Sequence, residues 1–121
     1  IDVARPGACL SHIGCAIHDV ADHYSYDTVE RYRGHGISHV FHCAPLVKHY
    51  RNNDRMELKP GMIFTIEPML TAGNSECREW ADEWTVVTVD GSDAAQFEHT
   101  ILITEEGNEI LTLPESEWTQ S

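Results

Sequence analysis

The sequence is 121 residues long, the size of one ordinary domain with room for a hydrophobic core. Hydrophobic residues make up 41% of it and charged residues 23%, a composition typical of folded soluble proteins and not of disordered ones. The formal net charge is -12 with only 8 Lys and Arg residues, which argues against nucleic acid and anionic membranes as partners, because both bind basic surfaces.

The cysteines and the N-terminus bear on the compartment. The four cysteines are far apart and form no C-x-x-C pair, so neither a zinc knuckle nor a redox motif is expected and a reducing compartment is favoured; they are Cys9, Cys15, Cys43 and Cys77. No apolar run approaches the roughly 18 residues that span a bilayer. The chain begins at Ile1, without a methionine or a signal-peptide pattern, so we expect a fragment or processed product of a cytoplasmic protein.

One amphipathic helix is predicted near the N-terminus. From Leu10 to about His23 apolar residues recur at helical spacing, after a turn at Pro6-Gly7. A short strand is expected over 26–31, and it would end in a break at Gly34 and Gly36.

The rest of the chain is rich in strand patterns separated by turn residues. The expected strand segments are 40–42 with 46–47, 62–70, 84–89, 96–104 and 109–113. One helix followed by several strands predicts an α+β fold with a mainly antiparallel sheet. No linker interrupts the pattern, so residues 1–121 are expected to form a single unit.

Three short phrases place an ionisable side chain where it needs explaining. His35 lies between two glycines in Gly34-His35-Gly36-Ile37, a context that can hold an imidazole toward a site. Glu67 follows the apolar run 62–66, where a carboxylate is costly to bury without a partner. Glu98 precedes another apolar strand, 31 residues after Glu67.

Each of these residues also has an ordinary structural interpretation. His35 could face solvent in a turn, Glu67 could pair with an arginine or with water, and Glu98 could lie on a polar strand face. Taken together, one histidine and two carboxylates form a ligand set suited to Mn, Fe, Co or Zn in a hydrolytic site. The helix-borne H-E-x-x-H motif is absent, so these ligands would have to meet through the fold.

In their order and separation, the three phrases resemble the signature of methionine aminopeptidases, members of the pita-bread family of dinuclear metallohydrolases. The resemblance runs from about Pro6 to Leu113. The short span between Glu67 and Glu98 resembles type I enzymes, because type II enzymes carry a large insertion there. The resemblance implies the C-terminal half of a pita-bread fold, from an enzyme that removes the initiator methionine from nascent polypeptides.

Specific roles follow from this resemblance. It implies that His35 and Glu67 bind one of two divalent metal ions (Co, Mn, Fe or Zn), that Glu98 bridges both, and that Glu67 also moves a proton of the attacking water. His42 would contact the scissile amide of the substrate and stabilise the tetrahedral intermediate. The methionine side chain would lie in an apolar pocket formed by Phe41, Trp84 and Gln96.

In the family, two aspartates on a preceding hairpin complete the ligand set, and this sequence has no such segment. We therefore expect that the N-terminal half of the domain is a missing partner and that the isolated chain is metal-free or binds metal weakly and is inactive. The facing carboxylates should also raise the pKa of at least one of them by repulsion. Two alternatives stay open: an Xaa-Pro aminopeptidase of the same fold, and a metal-free binding protein.

Overall fold

The predicted helix is present in a computed structural model, which describes residues 1–116. Helix α1 spans Ser11–His23, and its buried residues include Ile13 and Ala21. Val20, expected on the apolar face, is mostly exposed. Among residues 1–116 no helix has the length and apolar character that crossing a bilayer requires.

The strands are short and pair antiparallel throughout the described residues. They are β1 Asp27–Thr28, β2 Gly34–Gly36, β3 Cys43–Val47, β4 Ile63–Ile66, β5 Met69–Thr71, β6 Cys77–Glu79, β7 Val86–Thr88, β8 Ala94–Gln96, β9 His99–Ile103 and β10 Asn108–Ile110. A five-stranded sheet has the order β10-β9-β4-β2-β3, a three-stranded sheet has the order β1-β5-β8, and β6 pairs with β7. The expected α+β class with a mainly antiparallel sheet is confirmed.

The hydrophobic core lies between α1 and the five-stranded sheet. Side chains of the helix and its approach pack against central strands; the cluster comprises Ala4, Leu10, Ile13, Val47, Leu58, Phe64, Ile66, Ile101 and Ile103. Burial of this apolar surface holds β4 and β9 in place, since removing apolar area from water is the main favourable term in folding. The core therefore gives the central strands a rigid base.

Two segments that were each expected to form one strand are interrupted. The segment 62–70 divides into β4 and β5, and the segment 96–104 divides into β8 and β9. In both cases the chain leaves one sheet and enters the other: β4 pairs with β9, and β5 pairs with β8. The two connections, 67–68 and 97–98, therefore run side by side at the joint between the sheets.

Two further predictions need correction, and one strand was not predicted. Gly34 and Gly36, expected to break the chain, lie within β2. Residues 40–42, expected to be a strand, form bends before β3, and β6 was not predicted at all. Its sequence, Cys-Arg-Glu, has little apolar alternation, so its pairing with β7 decides its conformation.

Candidate metal centre

His35 is positioned by close packing of three strands and not by a turn. It lies in β2 between β3 and β4, with only 8% of its surface exposed. A Cβ atom at Gly34 would collide with the carbonyl oxygen of Thr65 on β4, and one at Gly36 would collide with the carbonyl oxygen of Ala44 on β3. The two glycines are thus required by the approach of neighbouring backbones, which carries the imidazole into the sheet.

The hydrogen bonding of His35 determines which ring nitrogen is available. Nδ1 lies 3.1 Å from the carbonyl oxygen of Gly36. A carbonyl oxygen only accepts, so Nδ1 carries the hydrogen and the neutral ring has its lone pair on Nε2. Nε2 lies 3.5 Å from Oε1 of Glu67, so the available nitrogen faces the carboxylate.

Glu67 follows directly after β4 and is held at two points. Its backbone N–H donates to Nε2 of His49 over 3.1 Å, and the hydroxyl of Thr65 donates to its Oε1 over 3.0 Å. Burial raises the pKa of the Glu67 carboxyl; the Thr65 hydrogen bond opposes this shift, and the negative charge of Glu98 adds to it. The expected raised pKa is present, but burial and not repulsion is its largest cause.

His49 is buried, with 1% of its surface exposed. This burial lowers the pKa of His49 to about 4. The backbone of Tyr32 has a smaller effect in the opposite direction and raises the pKa. Its Nε2 must be unprotonated to accept from Glu67, so Nδ1 carries the hydrogen. Within residues 1–116, Nδ1 has no partner inside ordinary hydrogen-bond limits.

Glu98 meets Glu67 at the joint between the two sheets. It lies in the connection between β8 and β9, beside the connection between β4 and β5 that carries Glu67. One potential ligand atom from each of His35, Glu67 and Glu98 lies within 4.8 Å of the other two. The fold therefore brings together the three residues that the sequence predicted as metal ligands.

This arrangement has the chemistry of a cation site. The lone pair of Nε2 on His35 faces a carboxylate oxygen of Glu67, and a second carboxylate lies close by. Lone pairs and negative charges at this separation repel one another, and either a proton on Nε2 of His35 or a bound cation relieves that repulsion. One imidazole and two carboxylates fit a divalent ion such as Mn, Fe, Co or Zn, so the donor set fits the predicted metal.

Phe41 and His42 pack against His35. The ring centroids of His35 and His42 are 4.2 Å apart, and those of His35 and Phe41 are 5.6 Å apart. His42 is also near enough to Glu67 to favour its ionised form. Phe41 is 69% exposed, so one side of it packs on His35 while most of the ring stays accessible.

Trp84 and Gln96 line a cleft of about 650 Å³ beside the centre, together with Met69, Cys77 and other residues of β5 to β8. Gln96 also reaches the metal-ligand cluster, because its Nε2 donates to Oε2 of Glu67 over 3.4 Å. Phe41 is not among the residues that line this cleft. The structure thus separates the three predicted pocket residues, with Phe41 beside His35 and the other two in the cleft.

The residues that position the predicted ones were not themselves predicted. Thr65 and His49 fix Glu67, and Asp82 fixes Trp84 by accepting its backbone N–H at 3.0 Å. A usable signal existed for Thr65, since strand alternation puts it on the same face as Glu67. Asp82 has the typical Asx spacing of two residues before Trp84. His49 had no comparable local signal.

Comparison with known proteins places this geometry in a wider group. Residues 1–105 match the family described as metallopeptidase family M24. Methionine aminopeptidase 1B, chloroplastic, from Arabidopsis thaliana is 52% identical over 112 residues, which are 93% of this chain and 30% of that protein.

Comparison with solved structures shows the same fold similarity. The crystal structure of methionine aminopeptidase from Rickettsia prowazekii superimposes with a TM-score of 0.89 at 50% identity, covering 93% of this chain and 46% of that one. Prolidase from Pyrococcus furiosus has a TM-score of 0.66 at 26% identity, covering 95% of this chain and 28% of that one. The expected half of a pita-bread fold is confirmed, and the chain spans less than half the length of these relatives.

Proposed function

The chain belongs to metallopeptidase family M24, and on that premise we propose that its parent protein is a type I methionine aminopeptidase. It would remove the initiator methionine from nascent polypeptides by metal-assisted hydrolysis of the first peptide bond. The similarity to methionine aminopeptidases at 50% identity and above supports this choice. The four cysteines are free, which supports a reducing compartment and hence a cytoplasmic location.

One observation carries the proposal. His35 Nε2, its lone pair left free by the Nδ1 hydrogen bond, converges with carboxylate oxygens of Glu67 and Glu98 within 4.8 Å. A cation bound among these atoms would relieve their repulsion, and β2 together with the connections 67–68 and 97–98 places them. In our proposal His35, Glu67 and Glu98 would be the residues of this chain that hold the divalent ions. When bound, these ions polarise the scissile carbonyl and lower the pKa of water.

The side chains of this chain have separate tasks in the reaction. Glu67 would accept the proton from the attacking water and pass it on, as a general base and then a general acid. His42, whose ring packs at a tilt against His35, would hydrogen-bond the scissile amide as negative charge develops. Trp84 and Gln96 in the cleft contact the methionine side chain, and Gln96 links this contact to Glu67. Phe41 contacts the substrate separately, from its position beside His35.

The two alternatives are less well supported. An Xaa-Pro-type enzyme would share the centre, but the similarity to the prolidase is 26% where the similarity to the Rickettsia enzyme is 50%. The convergence of possible ligand atoms of His35, Glu67 and Glu98 within 4.8 Å favours the metal enzyme over a metal-free binding protein. Metal analysis of the purified protein separates this last reading from the enzyme.

The test is release of Met from a Met-Ala-Ser peptide in the presence of Co²⁺ or Mn²⁺. Because this chain holds one of the two bridging carboxylates that a dinuclear centre needs, we expect no turnover by the chain alone. Turnover should appear when a polypeptide that supplies the other half of the domain is added. Each lost metal removes several kcal/mol of transition-state stabilisation, on the order of a thousandfold or more in rate.

The matched variants are Glu98→Ala and Glu109→Ala, the second being an exposed carboxylate on β10. We expect the first to abolish turnover in the mixture and the second to leave it unchanged. Robust turnover by the chain alone would contradict the ligand count. Unchanged turnover with Glu98→Ala would remove Glu98 from the metal centre.

A further inference from the structure

Thr65 is a buried threonine that contacts two of the proposed ligand residues. Only 1% of its surface is exposed. The backbone N–H of His35 donates to its Oγ1 over 3.0 Å, and Oγ1 donates to Oε1 of Glu67 over 3.0 Å. One hydroxyl group therefore connects the main chain of one ligand residue to the carboxylate of the other.

The direction of both hydrogen bonds is fixed. A backbone N–H can only donate, so Oγ1 accepts from His35 and its single hydrogen is left for Glu67. The hydroxyl is buried, so water does not compete for either bond. Both hydrogen bonds therefore run in one direction: the His35 N–H donates to Thr65, and the Thr65 hydroxyl donates to the Glu67 carboxylate.

The pairing of β2 with β4 shows why this hydroxyl is needed. The two strands pair at Gly36 and Phe64, and the N–H of His35 bonds to the side chain of Thr65. Gly34 lies so near the Thr65 carbonyl that no Cβ atom fits between them. Thr65 thus connects the strands at the level of the ligands, where they are closest.

We propose that Thr65 is a positioning residue, which fixes the Glu67 carboxylate relative to His35 and so sets the spacing of two ligands for a divalent cation. This inference rests on the proposed function, because it concerns the same metal centre. Glu67 has several side-chain torsions, and a hydrogen bond to Oε1 selects one orientation among them. The lone pairs of Oε1 not used by Thr65, and those of Oε2, stay directed toward His35 and the cleft.

The test is calorimetric titration of Mn²⁺ into the full protein that contains these residues, as wild type and as three variants. Thr65→Val keeps the shape and removes both hydrogen bonds, and Thr65→Ser keeps the hydroxyl. Thr28→Val is the matched control, since Thr28 on β1 is equally buried but lies outside the metal cluster. Thermal unfolding is measured on each protein, so that loss of fold is separated from loss of affinity.

We expect Thr65→Val to weaken Mn²⁺ binding about 10- to 100-fold, the range found when groups that orient metal ligands are removed. Thr65→Ser and Thr28→Val should bind as wild type does. The visible spectrum of bound Co²⁺ should change in Thr65→Val alone, because a purely structural role would leave the ligand geometry intact once the metal is bound.

The outcomes distinguish a failure of the proposed function from a failure of the proposed role of Thr65. Wild-type protein that binds no Mn²⁺ contradicts the proposed function itself. Wild-type binding that Thr65→Val retains in full, with an unchanged Co²⁺ spectrum, overturns the role of Thr65. If Thr65→Val does not fold, amide hydrogen exchange in the wild type decides: protection of the His35 amide supports the role, and exchange as fast as in the exposed bend at 39–41 overturns it.

Discussion

The candidate centre has two sides that are built differently. The held side consists of His35, Thr65 and Glu67, which are buried or half-buried and bonded to one another. The open side consists of Phe41, Trp84 and Gln96, the proposed substrate contacts, which are exposed. The difference indicates that ligand geometry depends on backbone packing, while contacts to a substrate are left to surface side chains that cost little stability to change. Three predictions test this contrast.

The largest effect is expected at His49, whose Nε2 accepts a hydrogen bond from the backbone N–H of Glu67 on the held side. The pKa of His49 is lowered to about 4, so its contribution to stability is complete above the unfolded value of 6.5 and is lost as the pH falls through about 4. A shift of this size corresponds to roughly 3 kcal/mol of unfolding free energy. The raised pKa of Glu67 acts in the opposite direction, since its stabilising contribution is present at low pH and is lost as the pH rises.

Urea unfolding between pH 7 and pH 4 measures this effect. His49→Gln should flatten the pH dependence, whereas His12→Gln, at an exposed position on α1, should retain it. If His49→Gln and the wild type show the same pH dependence of stability, burial does not suppress protonation of His49.

A smaller effect is expected from Gly34→Ala, because the new methyl group must separate β2 from β4 at the carbonyl of Thr65. Overpacking of this kind costs roughly 1–3 kcal/mol. Gly107→Ala is the matched control, since a Cβ atom there meets nothing within 4 Å. Thermal unfolding of the two variants should differ clearly, and equal melting temperatures would mean that the glycines beside His35 are not packing requirements.

The smallest change in stability is expected on the open side. Trp84 is 87% exposed, so Trp84→Ala should alter unfolding free energy by less than about 0.5 kcal/mol. The same substitution should raise KM for a Met-peptide in the complete enzyme, because Trp84 lines the cleft. Trp80→Ala, in the same hairpin region but outside this cleft, should leave KM unchanged. If both variants behave alike, Trp84 has no special part in substrate binding.

Periodicity predicted the helix and most strands because their apolar faces repeat at the spacing of the secondary structure. It could not predict where 62–70 and 96–104 divide, since each segment is continuously strand-like and the division comes from pairing with two different sheets. Pro68 was a local sign of the first division, because proline is excluded from central strands. Nothing equivalent marks the connection at Phe97 and Glu98.

For the site, the resemblance led to His35, Glu67 and Glu98, and the fold brings them together. Their metal-binding roles, and those of His42, Phe41, Trp84 and Gln96, remain predictions. The local sequence could not show why glycines flank His35. Glycine is favoured both in turns and where two backbones approach closely, so the two cases look the same in sequence. His49 was also out of reach, since its bond to Glu67 joins residues 18 positions apart.

The joint between the two sheets has a mechanical consequence. Glu67 and Glu98 lie in the two connections that cross this joint side by side, so the gap between their carboxylates depends on the angle between the sheets. An ion that binds both residues would link the two sheets and fix the angle between them. Metal binding at the centre would then reduce the motion of the β1-β5-β8 sheet, several of whose residues line the cleft.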